Sequence, residues 1–216
     1  MELSLFDIIQ IITAIVSSIY FYKYKKSFLK YICYFLWYTI LNEFVGIYLG
    51  EILEQDTGYL YNIRRVVLFA LIYWILKNAI IDEKRLKIVN SLFLIYALTQ
   101  AVEIIYKYKT FSSDYLTISY LIGGLVSFLG IMYYAIELLK SQNITFLHKN
   151  LAVWFLMGNL IFWIVYLPIN IIFTNMEYFN KEVLDSLEEI QYIFIVVQNI
   201  IFITGFIISE RIPKIN

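Results

Sequence analysis

The chain has 216 residues, of which 61% are apolar and only 16% are charged, and its mean hydropathy is +0.72. Soluble domains are about half apolar and about a quarter charged, so this composition excludes a water-soluble globular protein. The formal net charge is zero, which removes the electrostatic basis for nucleic-acid binding. Cys33 and His148 are the only residues of their kinds, so we expect no intramolecular disulfide, no metal centre and no cofactor.

Seven segments are long and apolar enough to cross a membrane, which takes about 20 residues. In chain order they are Leu3–Tyr22, Phe28–Gly50, Tyr59–Ile81, Ile88–Tyr106, Tyr115–Leu139, Leu151–Phe173 and Ile190–Ser209. The first has neither the basic region nor the cleavage site of a signal peptide, so we expect it to be retained. The connections are short throughout. The predicted fold is therefore an all-α, polytopic membrane helical bundle of seven transmembrane helices, forming a single domain over residues 1–216.

The basic residues predict the orientation of this bundle. Alternate connections and the tail hold twelve of the seventeen Lys and Arg: Lys23, Lys25, Lys26, Lys30, Lys77, Lys84, Arg85, Lys87, Lys140, Lys149, Arg211 and Lys214. Two of the other connections are acidic: Glu51, Glu54 and Asp56, then Glu177, Glu182, Asp185, Glu188 and Glu189. An excess of Lys and Arg marks the cytoplasmic side. The N-terminus is therefore predicted outside and the C-terminus in the cytoplasm.

Small and polar residues recur at helical spacing on most spans and predict the faces that turn inward. The stripes are Asp7, Gln10, Ala14 and Ser17; Thr39, Glu43, Gly46 and Gly50; Tyr96, Gln100 and Glu103; Tyr120, Gly123, Ser127, Gly130 and Tyr134; Asn159, Trp163, Tyr166 and Asn170; and Gln191, Gln198 and Gly205. The third span offers only Asn62 with Arg65, and Arg64 about a quarter-turn away.

Most ionisable residues of the spans fall in the predicted outer half or at its rim: Asp7, Glu43, Arg64, Arg65 and Glu103. A charge at the centre of the bilayer costs about 2.5–3.5 kcal/mol on insertion scales, so such groups need partners or water. The arginines either snorkel to the outer headgroups or pair inward with Glu43 or Glu103. Because adjacent helical residues point about 100° apart, only one is expected inside, and Arg65 is favoured because it shares a face with Asn62.

Several activities lack their motifs. The chain has no Gly-rich phosphate loop, HExxH or GxSxG sequence, and His148 has no carboxylate–serine constellation around it. The seventh span has no lysine that could hold retinal. We therefore expect no enzymatic activity.

The stretch from Lys149 to Pro168, KNLAVWFLMGNLIFWIVYLP, resembles a segment of uncharacterised seven-span bacterial inner-membrane proteins. The short loops and the Ile/Phe/Tyr-rich spans are similar over most of the chain. The resemblance implies the architecture and a location in the bacterial inner membrane, but no activity. It also suggests sensor kinases as companions.

The leading functional hypothesis is a receptor-like or sensory bundle. An outward-facing cavity lined by Glu43, Arg65, Glu103, Asn170 and Gln198 would bind a small polar ligand, and the basic loops would signal to a cytoplasmic partner. A small-solute transporter is the alternative, disfavoured because the inner half holds few polar groups. A pore-forming or accessory subunit is the third reading, with Gly123 and Ser127 as a small-residue interface.

Overall fold

The structure, a computed structural model, describes residues 5–140, 144–173 and 179–210, and within them it has helices, turns and irregular connections but no strand. The helices are α1 (Leu5–Ile19), α2 (Lys30–Ile47), α3 (Gly58–Ala79), α4 (Glu83–Tyr106), α5 (Thr117–Lys140), α6 (Leu151–Phe173) and α7 (Lys181–Ile208). A π-helical turn, Tyr48–Ile52, extends α2. Short 3₁₀ turns cover Phe21–Lys23 and Ile144–Lys149. Three charged residues used for the orientation, Glu177, Arg211 and Lys214, lie outside the described residues.

Six of the helices, α2 to α7, are long and apolar enough to cross a membrane. The prediction of a helical integral membrane protein is confirmed at this level. The remaining helix, α1, is apolar but has 15 described residues. At about 1.5 Å per residue these rise about 22 Å, less than the roughly 30 Å of a hydrocarbon core. A seventh span therefore stays a prediction.

The described helices form two compact units. The first, which we call the α2–α5 unit, spans residues 28–137. In it α3 and α5 run in the same direction with a constant register. Asn62 contacts Leu116, Phe69 contacts Gly123 and Leu76 contacts Gly130, so an offset of 54 residues relates every pair. The contacts recur every seven residues, which is the repeat at which two packed helices present the same faces to each other.

The α1–α6–α7 unit contains the other three helices. Its α6 and α7 approach closely where a glycine faces a ring: Gly158 faces Phe202, and Gly205 faces Trp154. Small residues at such crossings let the backbones come together, which is how helices gain packing energy in lipid.

The C-terminal end of α7 is closed by two side chains from the connection between α1 and α2. Lys23 Nζ donates hydrogen bonds to the carbonyls of Phe206, Ile207 and Ser209 at 2.8–3.0 Å. The hydroxyl of Tyr24 bonds that of Ser209. These contacts satisfy carbonyls that have no partner inside the helix, and a cation suits the negative end of the helix dipole. Burial at this site lowers the pKa of Lys23, and Glu210 partly offsets the effect.

One predicted boundary is wrong. The structure places Glu182, Asp185, Glu188 and Glu189 inside α7, where the sequence indicated a connection before Ile190. The reason is the N-cap: the side chain of Asn180 accepts a hydrogen bond from the Val183 amide at 2.9 Å. A carboxylate is also favourable in the first turn of a helix, where Glu182 lies, so the acidic run can begin within the helix.

A similar cap starts α4 before its apolar part. The side chain of Asp82 accepts hydrogen bonds from the amides of Lys84 and Arg85 at 2.8 and 3.3 Å. The bond from Arg85, then that from Lys84, holds the pKa of Asp82 below its usual 3.8. The ionised carboxylate is thus the form that the folded chain favours.

This cap predicts a pH dependence. Because the folded pKa of Asp82 lies below the unfolded one, its charge adds stability that is fully present above about pH 5 and is lost as the pH falls toward 3 and below. The wild type should lose this increment on acidification, and Asp82→Asn, which keeps an oxygen acceptor but no charge, should not. Thermal unfolding of both proteins at pH 7, 5 and 3 measures the difference. A gap between them that is the same at every pH would contradict the prediction.

Candidate functional site

An ion pair joins α2 to α3 within the spanning segments. Arg64 Nη1 lies 2.7 Å from Glu43 Oε2, and each side chain is about a quarter exposed, at 26% and 22%. The hydroxyl of Tyr61 donates to the other carboxylate oxygen at 3.3 Å, and the Arg64 guanidinium lies 5.0 Å from the Tyr61 ring. Gly46, one turn beyond Glu43, makes room for that hydroxyl, since a β-carbon there would lie only 2.9 Å from it.

An aromatic groove lies beside this pair on the same two helices. Its volume is about 470 Å³, within the range of small-molecule sites. It is lined by Tyr31, Tyr34, Phe35 and Tyr38 of α2 and by Val67, Ala70, Leu71 and Trp74 of α3. On each helix the four residues stand at positions i, i+3, i+4 and i+7, which form one helical face. Small Ala70 leaves space between the rings.

The ion pair lies beyond one end of the groove along the two helices, and neither Glu43 nor Arg64 lines it. Glu43 follows Tyr38 by five residues on α2, and Arg64 precedes Val67 by three on α3. These steps correspond to rises of about 7 and 5 Å, so the charged groups stand at one end of the groove. The carbonyl oxygen of the Asn42 side chain, which is buried at the same end, has no hydrogen-bond partner among the described residues. The arrangement combines an apolar slot with a polar, charged end.

The partner of Glu43 differs from the favoured expectation. The sequence favoured Arg65 as the inward-facing arginine, but Arg64 makes the ion pair with Glu43. Arg65 instead lies over the Tyr120 ring, 4.0 Å from its centroid, and 5.1 Å from that of Tyr115. Cation–π contacts of this kind stabilise by about 0.5–2 kcal/mol, depending on desolvation.

Glu103 accepts its hydrogen bonds from residues at the start of α5. Its carboxylate is 5% exposed and accepts hydrogen bonds from the amides of Ile118 and Ser119, at 3.2 and 2.6 Å, and from the Ser119 hydroxyl. These groups are the free donors of the first turn of α5, where the helix dipole also favours an anion. Glu103 therefore caps α5 from α4.

The other two predicted site residues belong to the α1–α6–α7 unit. The Gln198 amide donates to Asn159 Oδ1 at 3.3 Å, and Asn159, which is 1% exposed, donates to the Phe155 carbonyl. Asn170 donates to the Tyr166 hydroxyl at 3.1 Å. Each of the five predicted residues is thus held by neighbours in its own unit, and a cavity lined by all five stays a prediction.

Two features escaped the sequence reasoning. The groove residues on α2 form an aromatic set at positions 31, 34, 35 and 38, a helical periodicity that the sequence shows but that lies outside the predicted inward stripes. Glu137 extends the stripe of α5 by three residues beyond Tyr134. It accepts a hydrogen bond from the Ile81 amide at 2.8 Å, and its carboxylate lies 3.8 Å from Arg85.

Fold and site define the class of this molecule as a helical integral membrane protein with an aromatic groove and an ion pair on the same two helices. Comparison with protein-family models, with curated proteins and with solved structures returned no match. In the described part of the chain, no three His, Cys, Asp or Glu side chains converge as a metal site would require.

Proposed function

We propose that the protein is a receptor-like membrane protein that binds a small amphipathic ligand in the α2–α3 groove and signals through a cytoplasmic partner. The observation that carries the proposal is the junction of an aromatic slot with the Glu43–Arg64 pair. A site of this volume with a few placed polar groups is the usual form of a ligand pocket.

The proposal includes seven spans with the N-terminus outside, and it takes the bacterial inner membrane as the location. The distribution of Lys and Arg supports this orientation, because Lys30 stands at the start of α2 and Lys77 near the end of α3. The groove then lies in the cytoplasmic half of the two helices, and the ion pair lies toward the outer half. Both positions are reached from the bilayer, which suits a ligand that partitions into lipid.

The charges suggest the head group of the ligand. An ion pair offers one carboxylate and one guanidinium, so a zwitterionic head can meet both without breaking the pair. Its ammonium would bind Glu43 and its anion would bind Arg64, with charge-assisted hydrogen bonds. The apolar part of the ligand would lie against Tyr34, Phe35 and Trp74. A single-chain zwitterionic amphiphile satisfies these requirements.

The output surface in this proposal is the connection that follows α3. Trp74 lines the groove about one turn before Lys77, and the exposed Lys84 and Lys87 follow at the start of α4. A ligand shifts such a segment only if it binds two arrangements of the helices unequally. A shift of α3 would move this basic connection, which is where an acidic surface of a partner would dock.

Binding can be measured through Trp74, one of four tryptophans in the chain. The protein is placed in lipid nanodiscs, so that no detergent competes for the groove, and titrated with a brominated single-chain phosphoethanolamine. We expect saturable quenching of tryptophan fluorescence that Trp74→Phe abolishes. Trp37→Phe should keep it, because Trp37 lies on α2 with a similar exposure, 40% against 43%, but outside the groove. Glu43→Gln should weaken binding about tenfold, or about 1.4 kcal/mol.

The outcome that would overturn the proposal is quenching without saturation, equal in the two tryptophan variants. The groove would then be an ordinary lipid-facing surface. A brominated alkane of the same length serves as the control for the head group, since Glu43→Gln should leave its quenching unchanged.

A transporter is the second candidate, favoured by one observation. Glu137 and Arg85 place charged groups near the Lys140 end of α5, whereas Glu103 stands at its Thr117 end. In the proposed orientation this adds polar groups to the cytoplasmic side, where the sequence had indicated few. Uptake of the zwitterionic probe by proteoliposomes above that of protein-free liposomes would favour transport. Saturable binding without uptake would favour a receptor.

A further inference from the structure

Two buried hydroxyl groups in the α2–α5 unit have no hydrogen-bond partner among the residues that the structure describes. They belong to Tyr96 of α4 and Ser127 of α5, which are 7% and 0% exposed. A helical serine ordinarily bonds the carbonyl three or four residues back, and Ser127 does not. Buried polar groups in native proteins nearly always find a partner, either in the protein or in ordered water.

The register of the helices places these two hydroxyl-bearing residues opposite each other. A β-carbon at Gly130 of α5 would lie 3.7 Å from the ring of Phe93 of α4. At the other end Glu103 bonds Ser119, so the two helices run antiparallel. Tyr96 lies three residues after Phe93 on α4, and Ser127 lies three residues before Gly130 on α5. Because the helices are antiparallel, both residues lie about 4.5 Å from the Phe93–Gly130 contact in the same direction along the helix axes.

Apolar side chains lie on both sides of the position along the helix axes that Tyr96 and Ser127 share. On one side the Phe69 ring fills the space at Gly123, where a β-carbon would lie 2.5 Å from it, and it packs on the Tyr96 ring at 4.9 Å between centroids. On the other side Leu76 fills the space at Gly130, 2.8 Å from a β-carbon there. The two glycines give their space to these side chains, so the hydroxyls of Tyr96 and Ser127 lie between two apolar layers that offer them no polar partner.

We propose that one water molecule bridges Tyr96 Oη and Ser127 Oγ and joins α4 to α5 in the middle of the unit. Each hydroxyl can donate and accept, so the water can form a hydrogen bond with both. Buried waters typically bond two to four polar groups that would otherwise be unsatisfied. The bridge would be the central polar contact between these helices, between the Glu103 cap and the Glu137–Arg85 pair. It is independent of the α2–α3 groove.

Radiolytic footprinting of the wild-type protein in nanodiscs tests the bridge directly, because a trapped water generates hydroxyl radicals beside its neighbours. We expect Tyr96 to be labelled although it is buried, and we expect Ser127→Ala to reduce this labelling several-fold. Tyr120→Phe is the matched variant on the same helix as Ser127, and it should leave the labelling of Tyr96 unchanged. Absence of labelling at Tyr96 in the wild type would overturn the proposal, as would labelling that Ser127→Ala does not alter.

Thermal unfolding of Tyr96→Phe, Ser127→Ala and the double variant gives an independent readout. A bridge predicts that each single change lowers the midpoint and that the double change lowers it no further than the larger single one. Thr99→Val removes an exposed hydroxyl of α4 that bonds only its own helix, and it should have little effect. If both single variants raise the midpoint, the hydroxyls are simply unsatisfied and the bridge does not exist. A coupled effect without labelling of Tyr96 would mean a direct bond between the two hydroxyls and would also overturn the proposal.

Discussion

Replacing Glu103 by alanine should lower the free energy of unfolding by about 3 kcal/mol, since it leaves the first donors of α5 without their acceptor. The carboxylate is 5% exposed and accepts hydrogen bonds from two amides and one hydroxyl. Hydrogen bonds to a charged group contribute about 1.5–3 kcal/mol each, and their effects are not additive. Glu103→Gln should lose about half as much, because the amide oxygen still accepts one of these bonds. Titration with SDS in mixed micelles measures both.

Glu83→Ala is the control for this prediction. Glu83 lies on the same helix but is exposed, so its loss should change the stability little. The distinction matters for function as well, since Glu103 was predicted to bind a ligand. A Glu103→Gln variant that keeps its stability but loses a ligand response would show that the residue binds a ligand and does not act chiefly as the cap of α5.

Gly205→Leu should also destabilise the protein strongly, by about 3 kcal/mol, at the upper end of the usual cost of overpacking. A β-carbon at Gly205 would lie 2.4 Å from the β-carbon of Trp154, which moves only with the backbone of α6. The two helices would have to separate. Gly205→Ala introduces the same β-carbon and should already cost about 2 kcal/mol, since the gain of about 1 kcal/mol in helix propensity offsets only part of the clash.

Gly50 provides the matched control for the glycine prediction. It is exposed, and the nearest atom to a β-carbon there is the Thr57 methyl group at 3.6 Å, an ordinary contact. Gly50→Leu should therefore leave the midpoint of thermal unfolding nearly unchanged. Equal losses at Gly50 and Gly205 would mean that the approach of α6 to α7 is not the cause.

Arg64 and Arg65 show that helical periodicity predicts the face of a residue but not the helix that it contacts. The sequence placed Arg65 on the face of Asn62, and both residues do contact the α5 side: Asn62 accepts from the Leu116 amide, and Arg65 lies over Tyr120. The carboxylate of Glu43, however, lies on the other side, where Arg64 points. Two adjacent residues about 100° apart each met a different neighbouring helix. The sequence alone does not say which neighbour stands where.

Glu103 and the acidic run before Ile190 illustrate a second limit. Each was read as a charge that needs water, a ligand or a loop, because charges are costly in lipid. In the structure Glu103 is stabilised by the start of α5. Glu182 lies in the first turn of its own helix, α7, and Glu188 accepts a hydrogen bond from the Tyr192 hydroxyl at 2.9 Å. The free amides at a helix start are absent from any hydropathy profile, so their anions look unpaired until the helix ends are placed.

The helical membrane class follows from the sequence alone, because backbone polar groups in lipid must be satisfied within a segment and only long apolar helices do this locally. The inward faces follow as well, since small and polar stripes are local patterns: Gly123, Ser127 and Gly130 are all buried. Only the tertiary structure decided the partners. It assigned Arg64 to Glu43, formed the α2–α3 groove and set Tyr96 opposite Ser127, because these contacts depend on the register between helices, and many registers bury the same stripe equally well.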